Sequence, residues 1–212
     1  TGSGKTLIMA CAILTLYQKG YRNFLFFVNS NNVLTKTINN FTNLSYSKYL
    51  FKKKLFLNNT FTQVKSVKNF ESKNNNINIL FTTIQKLHSD MSNFKENNLT
   101  LSQFERDKTV IISDEAHHIQ SKTKKNLFND ASSWENTVEK INQINPESIL
   151  LEFTATVDFQ DDQINKKYFD KLLIKYDLAE FRNDGFSKEI NIAQSDITEK
   201  MRILQAVIIN QY

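Results

Sequence analysis

The chain has 212 residues, 40% hydrophobic and 12% aromatic, enough apolar material for a packed core, which excludes a disordered chain and fits one domain or one domain and the start of another. The net charge of +5 permits a polyanionic partner such as nucleic acid without requiring one, since a generally lysine-rich composition gives the same balance. One cysteine excludes a disulfide framework and a cysteine zinc site and fits a reducing cytoplasm, the three histidines show no metal-ligand spacing, and no apolar run reaches the length of a membrane span.

The chain opens on Thr1-Gly2-Ser3-Gly4-Lys5-Thr6, the second half of the phosphate-loop pattern G-x-x-x-x-G-K-[ST]. Gly2 and Gly4 let the backbone curl so that the N–H groups of Gly2, Ser3 and Gly4 point at a phosphate. Lys5 supplies a point charge to the β- and γ-phosphates, and the Thr6 hydroxyl is placed to ligate Mg²⁺. A Gly/Ser turn that happens to precede Lys-Thr is the alternative, so the pattern needs support further along. The strand that should feed such a loop is not in the sequence. On that ground we expect a sheet without its first strand and an isolated chain that is only marginally folded.

Leu7 to Leu16 is apolar on nearly every side and predicts a buried helix, with Gly20 where a C-cap falls. Phe24 to Val28 is an unbroken apolar run, the pattern of a strand covered on both faces. Ser30 starts a second helix, Val33 to Phe41. Phe61 to Val67 alternates as a strand, and Ile77 to Phe81 and Thr109 to Ile112 are further buried strands. A helix or two with loops is expected between Ser89 and Lys108. Residues 118 to 146 are polar and read as helical or irregular, ending at Pro146, and Ile149 to Phe153 is the last strand. Phe181 to Ser187 reads as a turn around Gly185, and Ile197, Met201, Leu204 and Ile208 recur at helical spacing behind Asp196 and Glu199. Strands separated by helical segments predict an α/β fold with a mostly parallel sheet, and each polar cluster directly follows a strand, where such sheets bind ligands.

Asp114-Glu115 follows the Thr109–Ile112 strand. Hydrolysis of a nucleoside triphosphate needs one carboxylate to hold Mg²⁺ and another to orient and deprotonate water; Asp114 suits the first task and Glu115 the second. An Asp-Glu pair alone is common surface chemistry. Behind a phosphate loop in the same α/β pattern it becomes a Walker B element.

Thr-Gly-Ser-Gly-Lys-Thr, then Asp114-Glu115-Ala116-His117, then Thr154-Ala155-Thr156 resembles, in order and spacing, motifs I, II and III of the superfamily-two helicases over nearly the whole chain. The resemblance implies a RecA-like P-loop NTPase domain, mostly parallel with helices on both faces, that uses ATP and Mg²⁺ to move along nucleic acid. It implies that His117, Thr154 and Thr156 couple the γ-phosphate to the nucleic-acid site. Val28-Asn29-Ser30-Asn31 sits where motif Ia does, and Thr82-Thr83-Ile84-Gln85 resembles the region of motifs Ib and Ic. By that mapping Ser30, Thr82, Thr83 and Gln85 touch the sugar-phosphate backbone, although Asn29 and Asn31 depart from the usual proline and arginine, and each residue also reads as a helix cap.

Phe24–Ser30, Asp114–His118, Leu150 to Thr156, Tyr176-Asp177-Leu178 and Asp184-Gly185 are together similar to the ATP-dependent subunit of type III restriction enzymes, as is the long insertion between His118 and Pro146 carrying Trp134. That branch implies double-stranded DNA as substrate, a methyltransferase partner that reads the DNA sequence, and a nuclease domain elsewhere in the whole protein. Residues 1–175 would be the first motor domain, and 176–212 an exit segment and helix toward a second one. Because that second domain normally supplies the arginine that stabilises the γ-phosphate, weak or no hydrolysis is expected of these residues alone. The alternatives are an RNA helicase of the Asp-Glu-Ala-His type and a non-enzymatic remnant that only binds nucleotide or a partner. The lysines at 52–54 and at 122, 124 and 125 both read as solvated faces, the second group being the better DNA candidate from its nearness to His117.

Overall fold

A computed structural model describes residues 4–70, 74–92, 99–116, 128–155, 157, 161–186 and 198–209. The chain divides into two compact units, 1–157 and 158–212.

The first unit is a sheet of five parallel strands. In chain order its elements are α1 (Lys5–Gln18), β1 (Asn23–Val28), α2 (Asn31–Thr42), the short β2 (Leu55–Leu57), β3 (Thr60–Thr62) and β4 (Val64–Ser66), then β5 (Ile77–Thr83), α3 (Ile84–Ser92), α4 (Leu101–Arg106), β6 (Thr109–Asp114), α5 (Phe128–Ile144) and β7 (Ile149–Phe153). The strand order is β4-β5-β1-β6-β7, while β2 and β3 form a separate antiparallel hairpin. The central β1 is buried along its whole length, in register from Asn23 opposite Asn78 and Thr109.

The apolar run of β1 divides between two cores because successive side chains point to opposite faces. Phe24, Phe26 and Val28 join Ile77, Ile79, Val110 and Ile112 under Met9, Ala10, Ile13 and Tyr17 of α1 and Phe41 of α2. Leu25 and Phe27 join Leu80 and Ile111 on the other face, under Ile84 and Leu87 of α3, Phe104 of α4, and Val138 and Ile141 of α5. Helices therefore cover both faces of a parallel sheet, the RecA-like α/β arrangement.

The structure changes several expectations. Helix α1 is not buried all round: Leu7, Ile8 and Cys11 are exposed, because the sheet lies against only one side of it. The expected strand at Phe61–Val67 is two strands in two sheets, with Thr62 in the hairpin and Val64 in the main sheet. Of the segment read as polar and helical or irregular before Pro146, Phe128–Ile144 is the helix α5, which packs Val138 and Ile141 against the sheet with Trp134 at their margin. His118 and Lys122 to Lys125 lie outside the described residues.

Helix α1 ends as the sequence predicts. Gly20 has φ +95°, the Gly20 N–H donates to Tyr17 O and the Tyr21 N–H to Leu16 O, a Schellman termination that lets the chain reverse into β1.

In the second unit the described elements are α6 (Asp162–Tyr168), α7 (Leu178–Asn183) and α8 (Glu199–Ile209). The expected turn at Phe181–Ser187 is in its first part helix. Asp177 caps α7 in a reciprocal box with Glu180, and Gly185 (φ +78°) closes it with Phe181 and Phe186 in contact at 5.6 Å between ring centroids. The glycine was visible in the sequence; the short helix before it, with no buried residue, was not.

Candidate functional site

Three of the chain's polar clusters meet at the carboxyl ends of β1, β5 and β6, with α1 opening beside them. Gly4 adopts the left-handed conformation (φ +81°) that glycine alone adopts at little cost, and its carbonyl accepts the N–H groups of Leu7 and Ile8, which starts the helix at the loop. Lys5 and Thr6 are the next two residues and are half-buried. Gly2 and Ser3 lie outside the described residues.

The register of β6 decides which way its end points. Val110 and Ile112 face α1, so Asp114, two residues on, faces the same side, toward the phosphate loop. The backbone then turns sharply. Glu115 has φ +57°, uncommon for a residue with a side chain, and its N–H donates to Asp114 Oδ1 at 3.0 Å. This turn brings Glu115 Oε1 to 3.9 Å from Lys5 Nζ. Residues 110 positions apart in sequence thus share one site. The pair is partly solvated, so it contributes little to stability and is easily exchanged for another partner.

Burial pushes the Asp114 carboxyl above the ordinary carboxylate range, the Glu115 charge pushes it further, and Lys5 and the Glu115 N–H pull part of the way back. Among the described residues no three His, Cys, Asp or Glu side chains cluster to hold a metal by themselves. The oxygen donors of Asp114 and Thr6 are of the kind that Mg²⁺ takes, one or two protein oxygens with water and phosphate completing its octahedron.

Two bridges join the strand ends. The Ala116 N–H donates to Phe153 O at 3.0 Å, fastening the Asp-Glu-Ala-His turn to the residue before Thr154. Thr154 follows β7 and is half-buried; His117 and Thr156, the other expected coupling residues, lie outside the described residues. The Gln85 amide donates to the Asn29 carbonyl at 3.2 Å and to its side-chain oxygen at 3.3 Å, tying the loop after β1 to the start of α3. Nothing in the sequence announces this bond across 56 positions.

The expected backbone-contacting residues divide. Ser30 and Gln85 are exposed, Ser30 also accepting the Val33 N–H as the cap of α2. Thr82 and Thr83 are buried; the Thr82 hydroxyl donates to Thr83 O and the Thr83 hydroxyl accepts the Lys86 N–H as the cap of α3. For Thr83 the cap reading describes the geometry; Thr82 is a buried strand residue that caps no helix.

The profile of the family described as "Type III restriction enzyme, res subunit" matches residues 1–159. The "Probable type III restriction-modification enzyme HindVIP Res subunit" of Haemophilus influenzae is 39% identical to the chain over an alignment of 233 residues, which covers 100% of this chain and 45% of that protein. The chain thus spans about half the length of the curated relative it matches. Neither comparison favours an RNA helicase.

Proposed function

The chain belongs to the family of type III restriction enzyme Res subunits, with a helicase-like ATPase motor domain, and from that premise we propose how its residues divide the work. The observation that carries the proposal is the meeting of Gly4, Lys5 and Thr6 with Asp114 and Glu115 at one edge of the sheet.

The backbone of Gly2, Ser3 and Gly4 and the Lys5 ammonium receive the β- and γ-phosphates of ATP, helped by the positive end of α1. Lys5 leaves Glu115 to do so, since one ammonium cannot hold both at 3.9 Å and a phosphate carries more charge. Glu115 is then free to orient and deprotonate the attacking water. Thr6 and Asp114 would hold Mg²⁺, which when bound would offset the charge of the phosphates. His117, Thr154 and Thr156 relay the state of the γ-phosphate to the nucleic-acid edge, the bond from Ala116 to Phe153 giving that relay a rigid base. Ser30 and Gln85 contact the sugar-phosphate backbone without reading sequence.

In the whole protein this motor would act on double-stranded DNA beside a methyltransferase subunit and in concert with a second motor domain, with residues 176–212 leading toward it and cleavage assigned to another part. The test is turnover by the full-length protein with duplex DNA or single-stranded RNA present. Stimulation by duplex DNA, lost in Glu115→Gln while ATP binding persists, supports the reading. Stimulation by RNA alone, or turnover that survives Glu115→Gln, overturns it.

A further inference from the structure

We propose that the β2–β3 hairpin and the lysines around it form a binding surface for single-stranded nucleic acid, separate from the nucleotide site. The charge of the chain is not evenly spread. Its first 70 residues contain ten Lys or Arg and no Asp or Glu, so all 22 acidic residues stand against seventeen basic ones in the remainder. The net charge of +5 conceals a strongly basic part and a mildly acidic one.

Six of those cations, Lys48, Lys52, Lys53, Lys54, Lys65 and Lys68, are exposed and surround the hairpin in sequence, and none forms an ion pair among the described residues. Between them stand two aromatic rings turned outward. Phe56 and Phe61 are 61% and 72% exposed and are cross-strand partners with ring centroids 5.2 Å apart. Alternation explains the direction: Leu55 and Leu57 pack toward the core beside α1, so Phe56 must face away. A hairpin needs only a polar residue at such a position. Two exposed phenyl rings therefore call for a partner.

The platform is firm. Asn58 and Asn59 take left-handed backbone (φ 50° and 60°), the two-residue turn that matches strand twist, and the Asn58 amide donates to the carbonyl of Gln18, the last residue of α1. At 1.5 Å per residue along α1, the anchor lies about 20 Å from Lys5. It also lies at the edge where strands begin, since the Thr62 hydroxyl donates to Asn75 O just before β5; Ser30 and Gln85 occupy the opposite edge.

Lysines without carboxylates fit a phosphate backbone, and exposed phenyl rings fit the faces of bases. In a duplex those faces are stacked on each other and out of reach. The combination therefore selects an unpaired strand over a duplex or an acidic protein surface.

The experiment measures fluorescence anisotropy of a labelled 20-nucleotide thymidine strand, and of a duplex of equal length, with the 212-residue chain at several salt concentrations. We expect the single strand to bind more tightly. The Phe56→Ala/Phe61→Ala variant should lose about tenfold or more in affinity, and Phe56→Tyr/Phe61→Tyr should retain it. The Lys52→Ala/Lys53→Ala/Lys54→Ala variant should lower the slope of log affinity against log salt by about 2. Lys5→Ala should change neither quantity, which separates this surface from the nucleotide site. Equal affinity for the duplex, indifference to loss of both rings with an unchanged melting temperature, or loss of strand binding in Lys5→Ala would overturn the proposal, as would no binding at all.

Discussion

Asp114 carries a cost to stability in its ionised form. Its carboxyl is held above the ordinary range by burial and by Glu115, so through the interval between its unfolded and folded pKa values the folded chain binds more protons than the unfolded one. Stability then falls as pH rises through that interval, and the full cost persists at neutral pH. Acidification through the interval removes it. Asp114→Asn should therefore raise the melting temperature at pH 7, with the difference vanishing below about pH 4, where the carboxyl is protonated in both states. A thermal-denaturation series over pH checks the sign; a variant less stable than the parent at pH 7 would contradict it. The left-handed backbone of Glu115 is a second cost placed at the same turn. Residue identities here were legible, because Gly-Lys-Thr and Asp-Glu announce their chemistry. The backbone conformation of Glu115 and the Gln85–Asn29 bridge were not, since one depends on where β6 ends and the other on two loops meeting in space.

At the scale of elements, α1 is the part that both anchors the sheet and presents the loop. Tyr17 is fully buried, donates from its hydroxyl to Asn75 O at 2.6 Å, and carries the Arg22 guanidinium 3.9 Å above its ring. Tyr17→Ala should cost about 3–5 kcal/mol, by analogy with the truncation of other buried aromatics, read as a shift in urea midpoint. Helix α7 offers a spectroscopic check in the second unit. The Tyr176 hydroxyl donates to Asp184 at 2.7 Å, and that bond holds its phenol proton up to about pH 12. Absorbance titration should show a tyrosine ionising near pH 12, returned toward pH 10 by Asp184→Asn. Elements with long apolar runs were legible: β1, β5 and β6 are interior parallel strands, and burial on both faces writes itself as continuous hydrophobicity, while the run of β7 makes a half-buried edge strand. The short β2, β3 and β4 have three residues each and too little pattern to separate, and α5 looks polar because only a narrow stripe of it touches the core.

The molecule as a whole joins a sheet that concentrates its chemistry at one edge to a basic hairpin at the other. Strand order follows from burial: the most apolar strand is central, and the edge strand β4 is short and bears Lys65. Among the described residues no helix is long and apolar enough to cross a membrane. The central claim is that the loop at Gly4–Thr6 and the turn at Asp114–Glu115 make one site for ATP and Mg²⁺. Isothermal titration of a non-hydrolysable ATP analogue into the chain, with and without Mg²⁺, tests it most directly. The account predicts saturable binding that strengthens with Mg²⁺ and disappears in Lys5→Ala. Binding that is absent, indifferent to Mg²⁺, or unchanged in Lys5→Ala would contradict it.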